Sequence, residues 1–229
     1  MDDARVSDVA FQYGLPTLTA FAARNRETGS RDRFRDLAAA LRAAALLELL
    51  LNESVELRGG LIILTGKSAG PDPAAQLIHG AIGKVAAPPS LASIVAGKMR
   101  GTWTLDLESP SIDQLLARGI LVHERRALGP DRYTTSNTIL ASRLTAQVET
   151  ALHSAMPESL TPRLAALVVL VELFGLTASQ LDSSARAALH NLANLIQTDE
   201  TLDAIVGGVR TALAATAAIV TSVTVATTS

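Results

Sequence analysis

The sequence predicts a mainly α protein: a multi-helix domain around a buried hydrophobic helix bundle, with short β-hairpins at about 54–65 and 120–135. Three observations predict it. Hydrophobic residues make up 48% of the 229, yet aromatics only 3%, so Ala and Leu carry the core. Helix-period apolar segments outnumber alternating ones. And two stretches, residues 36–52 and 162–174, are apolar on nearly every side, which means that other helices must cover them.

Taken in order, DLAAALRAAALLELLLN at 36–52 interrupts its apolar surface only at Asp36, Arg42 and Glu48, and reads as the central helix. SVELRGGLIILTG at 54–66 reads as two short strands around a tight turn at Arg58-Gly59-Gly60. Two weaker helices follow, near 74–84 and 90–99, separated by Pro88-Pro89. Ser109-Pro110 pairs a capping residue with a proline suited to a first turn, predicting a helix over about 110–118 that Gly119 stops. The strands Ile120-Leu121-Val122 and Arg132-Tyr133-Thr134-Thr135 then flank the turn residues Leu128-Gly129-Pro130.

ASRLTAQVETALHS continues helically to a break at Pro157, and Thr161-Pro162 repeats the start signal for a helix ending at Gly175. Thr177 to Gln180 forms a capping box, and Asp199-Glu200 opens the last helix, where acids complement the dipole. The expectation is one domain over 1–229, with 1–13 and 221–229 as flexible tails. Residues 211–229 carry no charge, but Ala and Thr dominate them, which favours a buried helix with a frayed end over a membrane span.

Net charge is −2, so no global basic excess points to nucleic acid. The absence of cysteine excludes disulfides, thiolate metal sites and cysteine nucleophiles, and fits a reducing compartment. The N-terminal residues lack the basic and apolar regions of a secretory signal, so the expected location is cytoplasmic, at most peripheral on the inner face of the membrane.

Gly66-Lys67-Ser68-Ala69-Gly70 matches a nucleophile elbow, and Gly60 to Ser68 nearly matches a phosphate-binding loop. Neither has its context. An elbow needs a helix starting at the serine, whereas Pro71-Asp72-Pro73 follows; a phosphate loop needs four residues between its glycines, and five separate Gly60 from Gly66. His79, His123, His153 and His190 stand apart in sequence, without metal-ligand spacing. No catalytic residue, metal or cofactor is expected.

The one concentrated basic segment is RNRETGSRDRFR at 24–35, with Arg24, Arg26, Arg31, Arg33 and Arg35 around Phe34. Planar guanidinium groups pair bidentately with phosphate oxygens, so such a segment suits anionic headgroups; it equally suits a solubilising loop, with Arg42 paired to a buried acid. The hairpin, with Arg125, Arg126 and Arg132, imitates a DNA-binding wing. Its preceding helix, SPSIDQLLA, offers Asp113 and Gln114 rather than the cations of a groove reader.

The order of these features resembles the Golgi phosphoprotein 3 family, in its bacterial form, from about Gly14 to Ala218. The carriers are GLPTLTAFAARNRETG, LRAAALLELLLNESVEL, AGPDPAAQLIHGAI, LLARGILVHERRALGPDRY and PRLAALVVLVELFGL. The resemblance implies a non-enzymatic, mainly α domain. Eukaryotic relatives are peripheral membrane adaptors that bind phosphatidylinositol 4-phosphate and engage glycosyltransferase tails, with a hairpin tip implicated in insertion and oligomer formation. Arg42 matches the family's central-helix arginine, and Arg33, beside Phe34, falls where the family has a tryptophan. Two further family arginines fall on Leu105 and Glu108, a departure that removes two phosphate partners.

The reading is a non-catalytic peripheral membrane-associated or adaptor protein. Arg31, Arg33, Phe34, Arg35, Arg42, Arg100 and Trp103 are the candidate headgroup residues, for a phosphoinositide-like or other anionic phospholipid. Arg125, Arg126, Ala127, Leu128, Gly129 and Pro130 form the membrane or oligomer hairpin. Expected partners are an anionic membrane surface, a second copy through the 120–135 hairpin, and a protein that the sequence does not name. A winged-helix-like nucleic-acid-binding protein and a scaffold without lipid binding are the alternatives.

Overall fold

A computed structural model describes residues 12–24, 37–102, 104–125, 132–154, 156, 159–176, 183–196 and 207. Among them lie eight helices, α1 Leu15–Ala22, α2 Leu37–Leu51, α3 Pro73–Ile82, α4 Leu91–Val95, α5 Glu108–Ala117, α6 Ile139–Leu152, α7 Pro162–Phe174 and α8 Ser183–Ile196. Two antiparallel hairpins join them, β1 Val55–Arg58 with β2 Leu61–Leu64, and β3 Leu121–Glu124 with β4 Arg132–Thr135. The predicted class stands.

All eight residues of α1 are buried. It packs against α2, α3, α5 and α7, while α2 packs against α1, α3, α4, α7 and β1. The centre of the bundle is therefore the α1–α2 pair rather than α2 alone. Tyr13 is 1% exposed, so the expected N-terminal tail does not extend to it.

Local chemistry explains most boundaries. Thr161 Oγ1 accepts from the Leu164 amide at 3.3 Å to open α7, and Gly175 at φ 62° closes it, as the start and stop signals predict. Gly59 and Gly60 both take positive φ, as a two-residue hairpin turn demands. Two expectations need correction. The helix foreseen over 90–99 ends at Val95, because the Ser93 carbonyl accepts from the Lys98 and Met99 amides and reverses the chain. Ser109 does not cap α5: Asp106 Oδ1 accepts from the Glu108 and Ser109 amides, both at 3.0 Å, so the helix starts earlier. The capping box at Thr177 to Gln180, the Asp199-Glu200 start and the uncharged stretch 211–229 lie outside the described residues.

Buried charge ties the layers together. Glu48, 1% exposed on α2, receives Arg163 of α7 in a two-pronged contact, Nε to Oε2 at 3.0 Å and Nη2 to Oε1 at 2.7 Å. The Leu15 amide also donates to Glu48 Oε2, at 2.9 Å. Asp72 caps α3 by accepting from the Ala75 amide at 3.0 Å, and the Thr17 hydroxyl lies 3.0 Å from its other oxygen and 2.7 Å from the Gln114 side-chain amide.

Removing one partner of a buried pair strands the other charge, so Arg163→Ala is expected to cost about 3–5 kcal/mol in denaturant unfolding. Glu48→Gln should cost less, because its amide oxygen can still accept from the Leu15 amide. A loss for Arg163→Ala equal to that of an ordinary surface arginine would contradict this.

Burial raises the Asp72 pKa from its ordinary 3.8, opposed by the Ala75 amide and the Thr17 hydroxyl and reinforced by Glu48. The sign follows: a raised folded-state pKa favours the folded protein most below 3.8, and that advantage fades as pH rises through the folded-state value. Asn caps a helix as well as Asp, so Asp72→Asn should match or exceed wild-type stability at neutral pH. Its deficit should appear only in acid, as read by urea midpoints across pH.

Candidate functional site

Arg42 is the sequence-predicted headgroup residue whose surroundings are best defined. Its Nε donates to the Val95 carbonyl at 2.8 Å, so the guanidinium sits at the C-terminal end of α4, where exposed carbonyls favour a cation. It does not pair with the buried acid of its own helix, which Arg163 holds instead. The guanidinium lies against Gly97, where an added Cβ would stand 3.1 Å from Arg42 Cζ.

Beyond Gly97 the loop alternates in burial. Met99 and Thr102 point inward, the Thr102 hydroxyl donating to the Met99 carbonyl at 2.7 Å, while Lys98 and Arg100 are exposed. Lys98 and Arg100 thus form an exposed basic rim on the loop whose Gly97 lies against the Arg42 guanidinium. Sequence reasoning missed Lys98 because a lone lysine between Gly97 and Met99 carries no pattern. Arg31, Arg33, Phe34, Arg35 and Trp103 lie outside the described residues, as do Arg126, Ala127, Leu128, Gly129 and Pro130 of the hairpin.

The positions where family arginines would stand look quite different. Leu105 is half-buried against the core. Glu108 Oε1 is 2.7 Å from Arg24 Nη2, and Arg24, counted in the sequence with the basic segment, is only 8% exposed. Leu105 and Glu108 line a recess of about 130 Å³ with Leu37, Ala38, Leu41, Asp106 and Leu107. Asp106 is held ionised: the Ser109 hydroxyl and amide, with the Glu108 amide, keep its pKa below the usual carboxylate range. Among the described residues that line it, a phosphate entering this recess would meet two carboxylates and apolar walls, and no basic side chain.

The hairpin stands beside this recess. His123 and Tyr133 are directly paired across the strands, and their rings stack with centroids 4.9 Å apart. Arg24 Cζ lies 4.8 Å from the Tyr133 ring centroid. At the hairpin base the Ser136 amide donates to the Ile120 carbonyl at 2.8 Å, and the Ser136 hydroxyl donates to Gly119. Val122 is exposed on the opposite side of the strand from His123, and Arg125 is exposed where the described strand ends.

Other motifs have structural settings. Ser68 is exposed in a loop, and the next helix begins at Pro73 behind the Asp72 cap, so the nucleophile-elbow geometry is absent there. Lys67 pairs with Glu53. His190 Nδ1 lies 2.7 Å from Glu172 Oε1, joining α8 to α7. On α5, Gln114 meets Thr17, and Ser111, Ile112 and Leu115 are buried, so this helix packs inward in the position where a wing's recognition helix would face DNA.

Gly97 takes φ 69°, a conformation that L side chains reach at a cost of about 1–2 kcal/mol. Gly97→Ala should lower stability by that order and push the Arg42 guanidinium off the loop. Denaturant unfolding checks the first effect, and the NMR shift of the Arg42 Nε–H, lost from its Val95 acceptor, checks the second.

Comparison with known proteins locates this arrangement. A search of curated proteins gives no match. The family model described as Golgi phosphoprotein 3 (GPP34) matches residues 18–216, from inside α1 to beyond α8. The matched span includes Arg42 with its rim, the acidic recess and the hairpin, and over this length the chain belongs to the Golgi phosphoprotein 3 family.

Proposed function

We propose that the protein is a non-catalytic adaptor that associates peripherally with anionic membrane surfaces, through spread arginine and lysine charge rather than a closed headgroup pocket. The observation that carries this is the Arg42 guanidinium held against Gly97, with Lys98 and Arg100 exposed on the same loop. Family membership supports an adaptor-type role. No described helix is long and apolar enough to cross a membrane, which is consistent with a peripheral association.

The basic rim has reinforcement close in sequence. The segment carrying Arg31, Arg33, Phe34 and Arg35 leads directly into Leu37, one of the recess residues, and Trp103 follows Arg100 by three positions. Each basic residue near an anionic bilayer contributes about 1 kcal/mol, so several together give useful but salt-sensitive attraction. Phosphoinositide headgroups belong to the surfaces recognised. The acidic recess argues against a dedicated site for one of them, because Asp106 and Glu108 repel the phosphates that paired arginines would clamp. In this reading the hairpin is the protein-facing surface, for a second copy or another partner, and the setting is the cytoplasmic face of the membrane.

Co-sedimentation tests it. Binding to phosphatidylserine vesicles should exceed binding to neutral ones and fall between low and moderate salt. A phosphoinositide vesicle of matched surface charge should bind about equally. Arg42→Ala combined with Lys98→Ala and Arg100→Ala should abolish most of the difference. Equal recovery with anionic and neutral vesicles would end the membrane reading; strong preference for one phosphoinositide would end the diffuse-charge part of it. A chain lacking residues 126–131 that keeps wild-type binding and oligomeric state would remove the tip from both roles.

A further inference from the structure

We propose that Arg24 is a latch coupling the β3–β4 hairpin to the recess at the start of α5. The side chain makes two different contacts at once. Its Nη2 donates to Glu108 Oε1 at 2.7 Å, and its Cζ stands 4.8 Å from the centroid of Tyr133. A guanidinium can serve both because its N–H donors lie in its plane, while its flat face is free to lie over a ring. Tyr133 in turn stacks on its cross-strand neighbour His123 at 4.9 Å and 13°. A continuous row therefore runs from α5 through the exit of α1 to both strands of the hairpin.

Accessibility gives the row a direction. The Glu108 side chain is 25% exposed and lines the recess, whereas that of Arg24 is 9% exposed and sits behind it. A group arriving in the recess reaches Glu108 first. A cationic group, attracted by Glu108 and Asp106, would compete with Arg24 for the carboxylate. A guanidinium whose bond to that carboxylate is weakened is held less firmly in the place that sets it over Tyr133. The recess thereby controls how firmly the hairpin is held. The latch concerns the free protein and does not require membrane binding.

Hydrogen exchange on the full chain, without lipid, tests the coupling. Glu108→Gln removes the charge that holds Arg24, and Tyr133→Leu keeps apolar bulk but removes the ring. In each variant the amides of Leu121–Glu124 and Arg132–Thr135 should exchange roughly tenfold faster, while those of Val55–Arg58 and of α7 stay unchanged. The double variant should be no faster than the faster single one, because both contacts act through the same side chain. Arg24→Lys gives an independent check: it keeps the charge for Glu108 but loses the planar face, so the hairpin should loosen while the first turn of α5 remains protected.

The proposal is overturned if Glu108→Gln leaves hairpin exchange at the wild-type rate, if the two single effects multiply, if Arg24→Lys leaves the hairpin protected, or if exchange rises across the whole bundle. Because no vesicle is present, failure here leaves the membrane reading untouched, and failure of vesicle binding leaves the latch untouched.

Discussion

Glu48 holds the bundle together because it answers a problem created at the start of α1. That helix begins at Gly14, which has no side chain to cap it, and cannot have one: a Cβ there would fall 2.4 Å from Asp72 Oδ2. The first amides of a helix still need acceptors when buried. Glu48 supplies one from across the interface, taking the Leu15 amide, and Arg163 then balances the charge that this introduces. Three helices, α1, α2 and α7, meet on one carboxylate. Apolar packing could tolerate small slippages among Ala and Leu side chains, but the Glu48 geometry cannot, so one register is specified.

The same constraint orients the candidate membrane site. Glu48 and Arg42 are six positions apart on α2, which places them about 240° apart around the helix. Fixing Glu48 towards α1 and α7 turns Arg42 away from them, to the C-terminal end of α4. The short α4 and the reversal after it then decide what accompanies Arg42: Gly97 leaves room for the guanidinium, and Lys98 and Arg100 alternate outward with Met99 inward. The place of Arg42 beside this loop is thus a consequence of a buried ion pair made on the other side of the same helix.

Much of this architecture was legible in the sequence wherever the signal is local. The two all-round apolar helices, the Thr161-Pro162 start, the Gly175 stop and both hairpins depend on residues within a few positions of one another. What was not legible depends on distant partners. Glu48 and Arg163 are 115 residues apart, and nothing in either local pattern names the other. Arg24 shows the same limit in a sharper form. In sequence it is the first of five arginines in a solvated-looking run; in the fold it is buried between Glu108 and Tyr133. Ser109 was the obvious cap for α5, but Asp106 takes the Glu108 and Ser109 amides with a charged oxygen, and the helix starts before the serine.

Leu105 and Glu108 show why family membership alone does not carry the lipid specificity. A specific phosphate site needs cations arranged to bond its oxygens while water is excluded. Among the described residues the recess has the enclosure without the cations, and Arg24 already serves one of its carboxylates. The rim has cations without enclosure: Lys98 and Arg100 are exposed, and Arg42 spends its Nε on a backbone carbonyl. Exposed charge in water attracts any anionic surface within a Debye length of about 10 Å, and discriminates little between headgroups. Separating enclosure from charge in this way favours attraction to a class of surface over recognition of one lipid.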